Sequence, residues 1–175
     1  MSWSSGGMLI KAFFLAATIT SAVGCSSSWP KDMNVRLDAG AQDPGGVPSV
    51  AVHLIGVRKG EVANYKKMSV SEYWSPGGPS RQAVPARKEL FLGPGATSAT
   101  VSRTDPIWKE WNPKTRPYLV VLADLRGVSE REGANDPRRL VMPLDKNRWP
   151  AGLKVIKLVV HRDAVQLETP STPKG

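Results

Sequence analysis

The hydrophobic positions of this chain recur mostly with a period of two and in short runs. Met33, Val35, Leu37 and Ala39 alternate with Asn34, Arg36 and Asp38, which predicts a half-buried strand over 33–39. Residues 49–57 are largely apolar on both faces apart from His53, the pattern of a central strand covered from two sides. Residues 118–125, YLVVLADL, form the strongest buried-strand segment of the chain. Further strands are predicted over 88–92, 97–103, 138–144, 153–161 and 165–167. In the sixth, Leu140, Met142 and Leu144 share a face; in the seventh, Ile156, Leu158 and Val160 stand opposite Lys157 and His161.

Helical signals are few. Ser69 can cap a short helix over 69–74, with Glu72 three residues later as in a capping box. Thr104 or Asp105 can start a second, with Pro106 in its first turn and an end near Trp111. Residues 61–67 read as a short strand or an irregular connection. Two turn-rich loops interrupt the pattern, GAQDPGGVP at 40–48 and SPGGPSRQAVP at 75–85. Seven to eight short strands with one or two short helical insertions are most simply an all-β, immunoglobulin-like β-sandwich. No alternation of strand and helix suggests a doubly wound nucleotide-binding sheet.

The N-terminal segment follows a different logic. Lys11 precedes the mainly apolar run Ala12 to Ile19, and small residues lead from there to Cys25. A run this short does not span a bilayer as a helix, which needs about 20 residues. It matches the charged region, apolar region and small-residue cleavage site of a secretory signal. Cys25 stands directly after Ala22-Val23-Gly24, which resembles a bacterial lipobox, where the thiol is acylated and becomes the new N-terminus. The expected organisation is therefore a lipoprotein signal peptide over 1–24, a lipidated Cys25 and tether over 25–32, the β-sandwich over 33–168 and a flexible tail over 169–175. Met8 is an alternative start. Ser26, in place of the Asp that favours inner-membrane retention in lipoproteins, suggests the outer membrane.

Composition narrows the chemistry. The chain has 175 residues, 41% hydrophobic and 22% charged, enough for one packed domain. Its 16 Gly and 15 Pro exceed what a helical bundle tolerates. One Cys rules out an intrachain disulfide or a multi-Cys zinc site, and two His rule out a His-rich metal site. No nucleophile elbow, phosphate loop or zinc-protease motif is present. The expectation is a protein that is not an enzyme, with no catalytic residues, no metal and no small-molecule cofactor. His53 reads as a core residue and His161 as an exposed strand-end residue. Asp43, Asp105, Asp124 and Asp136 read as caps and turn residues.

The net charge is +9. The doublets Arg58-Lys59, Lys66-Lys67, Arg87-Lys88 and Arg138-Arg139 are spread along the chain and read as a solvated surface, the alternative being attraction to an acidic partner domain or to anionic lipid head groups, with no nucleic-acid partner expected. Trp29 either packs against the start of the fold or rests on the lipid interface, and Trp74 either anchors the 75–85 loop or sits exposed in a contact. Trp108 and Trp111, three apart, share a helix face. That face either packs onto the open end of the sandwich or forms an aromatic platform for glycan or a protein partner.

A small chain with one lipobox Cys, a short tether and a β-sandwich resembles the outer-membrane lipoprotein of the type VI secretion system, the TssJ family. The segment VRLDAGAQDPGGVPSVAVHLIGV (35–57) looks like that family's first strand, first loop and second strand. KMSVSEYWS (67–75) looks like its helical insertion, RPYLVVLADLRGV (116–128) like its central strand and LKVIKLVVHRDAVQL (153–167) like its closing strands. Where the family commonly has Asn-Pro early in the first loop, this chain has Asp43-Pro44. The resemblance implies a transthyretin-like β-sandwich. It also implies an anchor on the periplasmic face of the outer membrane that binds the periplasmic domain of an inner-membrane partner, TssM. Carried over, the partner-contact loop is 40–48, with Gln42, Asp43, Pro44, Gly45, Gly46 and Val47 as its contact residues. The alternative is a periplasm-facing lipoprotein of another system.

Overall fold

The computed structural model describes Met1 and residues 29–38, 49–78, 81, 84–131 and 133–171. Eight strands form two four-stranded sheets. They are β1 (Asp32–Leu37), β2 (Val50–Val57), β3 (Arg87–Leu92), β4 (Ser98–Val101), β5 (Tyr118–Ala123), β6 (Arg139–Pro143), β7 (Val155–Val160) and β8 (Val165–Leu167). The sheet orders are β4-β1-β7-β8 and β3-β2-β5-β6. All pairings are antiparallel except β1 with β7, which run parallel in the register Met33 to Ile156 and Leu37 to Val160.

Period-two alternation builds the main core. Met33 and Val35 of β1 and Ile156, Leu158 and Val160 of β7 meet Val52 and Leu54 of β2 and Leu119 and Val121 of β5. This is the expected β-sandwich, and β2 is central as its pattern requires. The opposite face of β2 and β5 is also apolar because a second layer covers it. Helices α1 (Val62–Lys67) and α2 (Val70–Trp74) fill the β2–β3 connection and close a smaller core of Ile55, Val57, Val70, Tyr73, Val120 and Leu122. Ser69 caps α2 as predicted, its Oγ accepting from the Glu72 N–H at 3.0 Å. Residues 61–67, read as strand or irregular, are instead a 3₁₀ turn (Lys59–Glu61) running into α1. A brief Val62–Tyr65–Met68 spacing turns apolar groups toward the second core, a signal too short to separate from a strand.

The third helix, α3 (Ile107–Glu110), is one turn long, and the Asp105 carboxylate accepts from the Ile107 N–H at 3.0 Å. It brings Trp108 and Trp111 into the main core, where Trp111 is fully buried. Trp29, Trp108 and Trp111 pack edge to face with centroids 5.8 and 5.2 Å apart. The indole N–H groups of Trp108 and Trp111 donate to the Ser102 and Ala86 carbonyls at 2.9 and 2.7 Å. Gly56 makes room for this plug: a Cβ there would stand 2.4 Å from Trp111 Cδ1. The packing reading of these tryptophans holds, and the buried rings leave no aromatic platform for glycan.

The solvated-surface reading fails for one basic doublet. Arg138 and Arg139 are both buried, 6% exposed each. Arg138 forms a two-point pair with Asp136 and donates to Ser71 Oγ of α2 at 3.1 Å. The Arg139 guanidinium donates to the Tyr65 and Met68 carbonyls at 2.7 Å each, and to the Gly133 carbonyl. The doublet bolts the helical layer to the sheet. The Arg139 cation satisfies carbonyls left over at the end of α1. In sequence, two adjacent arginines give no sign of this, because the carbonyls they serve come from distant segments.

Candidate partner-binding pole

The strand directions place the loops at two opposite poles. The first loop joins the end of β1 to the start of β2. In register, Arg36 lies beside Ser98, Leu37 beside Val160, Val50 beside Leu92 and Val52 beside Ala123. The turn after β3, the β5–β6 connection and the β7–β8 turn therefore surround the roots of the first loop. At the other pole stand Trp29, α3 and the Trp108–Trp111 plug. The six residues of β1 separate the poles by about 20 Å. Trp29, four residues after Cys25 in sequence, stands at the pole away from the first loop.

The roots of the loop are held firmly. The Leu37 and Asp38 amides donate to the Thr97 and Val160 carbonyls at 2.8 and 2.9 Å. His161 Nδ1 lies 2.8 Å from the Asp38 carboxylate, so this histidine is half-buried and paired, where the sequence suggested an exposed strand end. The β5–β6 connection is fixed through Asp124, whose amide donates to the Ala51 carbonyl at 2.9 Å. Phe91, opposite Ala51 in the register, is 68% exposed and stands beside these roots. The sequence reading did not single it out. Its signal was present: Leu90 and Leu92 point inward, so Phe91 must point out.

The expected site residues Cys25, Gln42, Asp43, Pro44, Gly45, Gly46 and Val47 lie outside the described residues. So does the signal segment apart from Met1. Among the described residues no helix is long and apolar enough to cross a membrane. Likewise, no group of three or more His, Asp or Glu among them could hold a metal ion.

One titratable cluster sits under α2. His53 is fully buried, with Nδ1 2.6 Å from the Tyr73 hydroxyl and Nε2 3.4 Å from the Glu89 carboxylate. A proton on Nε2 suits both neighbours: the Tyr73 hydroxyl donates to Nδ1, and Nε2–H faces Glu89. Trp74 lies against the ring at 4.5 Å, and the Arg81 guanidinium caps Trp74 at 5.4 Å. Burial pushes the His53 pKa down to about 4 against the pull of Glu89, with Arg87 and Arg81 adding to the drop. Burial likewise pushes Tyr73 up to about 12. With no solvent-facing edge on His53, its hydrogen bond to Tyr73 holds α2 on the sheet.

This cluster predicts a pH dependence. The unfolded chain binds a proton near pH 6.5, while the folded imidazole resists it until about pH 4. Stability is therefore complete above pH 6.5 and falls as the pH drops toward 4, by roughly 3 kcal/mol from this group. Urea denaturation should show that slope flattened in His53→Gln. Equal slopes in the two proteins would contradict it.

No protein-family model matches the chain, and no curated protein sequence matches it. Solved structures do. A chain in the structure of the TssM C-terminal domain of the type VI secretion system from EAEC matches with 14% identity and a TM-score of 0.50, covering 78% of this chain and 95% of that one. A chain of a type VI membrane complex matches at 13% identity and a TM-score of 0.52, with the same coverage of 78% and 95%. The lipoprotein TssJ1 of Pseudomonas aeruginosa aligns at 14% identity and a TM-score of 0.46 over 83% of this chain and 99% of its own. The first two likenesses are of fold.

Proposed function

We propose that this chain is a type VI secretion lipoprotein of the TssJ kind, acylated at Cys25 and held on the periplasmic face of the outer membrane. In this role it binds the periplasmic domain of a TssM-like inner-membrane partner through Gln42 to Val47. The observation that carries the reading is the separation of the poles. Trp29 precedes β1 at one pole and the roots of the first loop lie at the other, about 20 Å along the strand. That is the geometry an anchor needs to present one surface to the membrane and another to a partner. The sandwich fold, shared with chains in structures of the TssM C-terminal domain and of a type VI membrane complex, supports it. The role asks for recognition and anchoring, with no enzymatic step.

The lipid link is the part most open to direct test. Two or three acyl chains hold a protein stably where one is marginal. Cys25→Ser should leave the membrane pellet, as a soluble or an uncleaved form. Mass spectrometry of the membrane-extracted protein should find acyl mass on Cys25. An unmodified Cys25 thiol in that fraction would contradict the assignment.

A further inference from the structure

Beyond Pro137, whose carbonyl accepts from the Val165 N–H at 2.8 Å, the outer edge of β6 carries no further strand among the described residues. Among the described residues β6 pairs only with β5. The bonds from Ala123 N–H to the Arg138 carbonyl and from Leu144 N–H to the Pro117 carbonyl, each 2.9 or 2.8 Å, fix the parity of the ladder. Arg138, Leu140, Met142 and Leu144 turn their backbone groups toward β5. Arg139, Val141 and Pro143 therefore turn theirs outward. The Arg139 N–H is taken by the Asp136 carbonyl at 3.0 Å. The Val141 N–H and the carbonyls of Arg139, Val141 and Pro143 face away from the sheet.

A groove of about 1200 Å³ runs beside this edge. Leu140, Val141 and Pro143 supply its floor, with Tyr118 and Val62 also lining it. Lys59 and Lys66 stand exposed on its α1 side, the partly buried Arg148 lies on the other, and Asp145 is the one carboxylate among the lining residues. The Arg139 guanidinium, also at the groove, is turned into the backbone carbonyls of the helical layer. The groove thus combines outward backbone groups, an apolar floor and a cationic rim.

We propose that this groove docks an extended, acidic segment of a partner protein as an added strand along β6. The outward donor and acceptors pair with the segment's backbone, the floor takes its inward apolar side chains, and the lysines take its carboxylates. A membrane surface would meet the charges and leave the directional backbone groups unused, which favours a peptide. The surface is lateral, distinct from the first loop, and the inference does not rest on the secretion assignment.

The test uses the purified full chain and two fluorescein-labelled peptides, one alternating Glu with Val and one alternating Lys with Val. Anisotropy should show binding of the acidic peptide that weakens with salt, and none of the basic one. The Lys59→Glu, Lys66→Glu double variant changes only exposed side chains and should weaken binding roughly tenfold or more, about 1.4 kcal/mol. Hydrogen exchange at the Val141 amide should slow when the acidic peptide is bound. A chain with Gln42 to Val47 replaced by a Gly/Ser linker should bind the acidic peptide as the unaltered chain does. Equal binding of both peptides, unchanged affinity in the double variant or no slowing at Val141 would overturn the proposal. So would capture of anionic lipid vesicles with no peptide binding, which would give this face to a membrane.

Discussion

Asp136→Ala is expected to destabilise the protein by about 3–5 kcal/mol, because it strands the Arg138 guanidinium without its counter-charge. The Asp136 side chain is fully buried and Arg138 is 7% exposed, so water cannot replace the lost carboxylate. Its two oxygens accept from Arg138 Nε and Nη2 at 3.0 and 2.7 Å and from the Arg138 and Arg131 amides at 3.0 and 3.3 Å. Burial opposes ionisation of Asp136, but the Arg138 hydrogen bonds and the amides outweigh it and hold its carboxyl below the ordinary range. The same pairing raises the Arg138 pKa. Removing both partners together, with Arg138→Met and Asp136→Ala, should cost less than removing Asp136 alone, since no unpaired charge remains. Urea denaturation of the three proteins checks this. A loss below about 1 kcal/mol in Asp136→Ala would put the pair among weak surface bridges.

The consequence extends past one ion pair. Arg138 reaches Ser71, and the neighbouring Glu130 accepts from the Val70 amide at 3.1 Å, so the β5–β6 connection clamps the start of α2. Loosening that clamp should expose Val120 and Leu122, which lie under the helices and not between the sheets.

The strands were legible because burial in a two-sheet fold writes itself as alternation, and a strand covered on both faces as a continuous apolar run. β2 and β5 show both features: their inner faces build the main core and their outer faces the helical one. The Ser69 cap was legible because its partner is three residues away. What escaped was set by distant partners. Arg139 is buried because the carbonyls of Tyr65, Met68 and Gly133 converge on it. His161 is half-buried because parallel pairing of β1 with β7 brings it to Asp38. The helix at 62–67 is too short for a periodic signal and gains its stability from the sheet beneath it. At the loop pole, the exposure of Phe91 followed from alternation alone, whereas the grouping of three connections around the roots of the first loop required the topology.

The first loop remains the centre of the functional account. Under the proposed function, Pro44 and Pro48 would restrict its backbone and lower the ordering cost of docking, while Gln42 and Asp43 would offer polar contacts and Val47 an apolar one. The most direct measurement replaces Gln42 to Val47 in the full chain with a Gly/Ser linker of equal length and follows capture of the TssM-like periplasmic domain. No described residue of either core is altered and the loop length is kept, so the melting temperature should be close to that of the unaltered chain. Under the proposed function, capture is lost while the fold persists. Capture at undiminished affinity by the folded variant would contradict that assignment and move the contact to another surface.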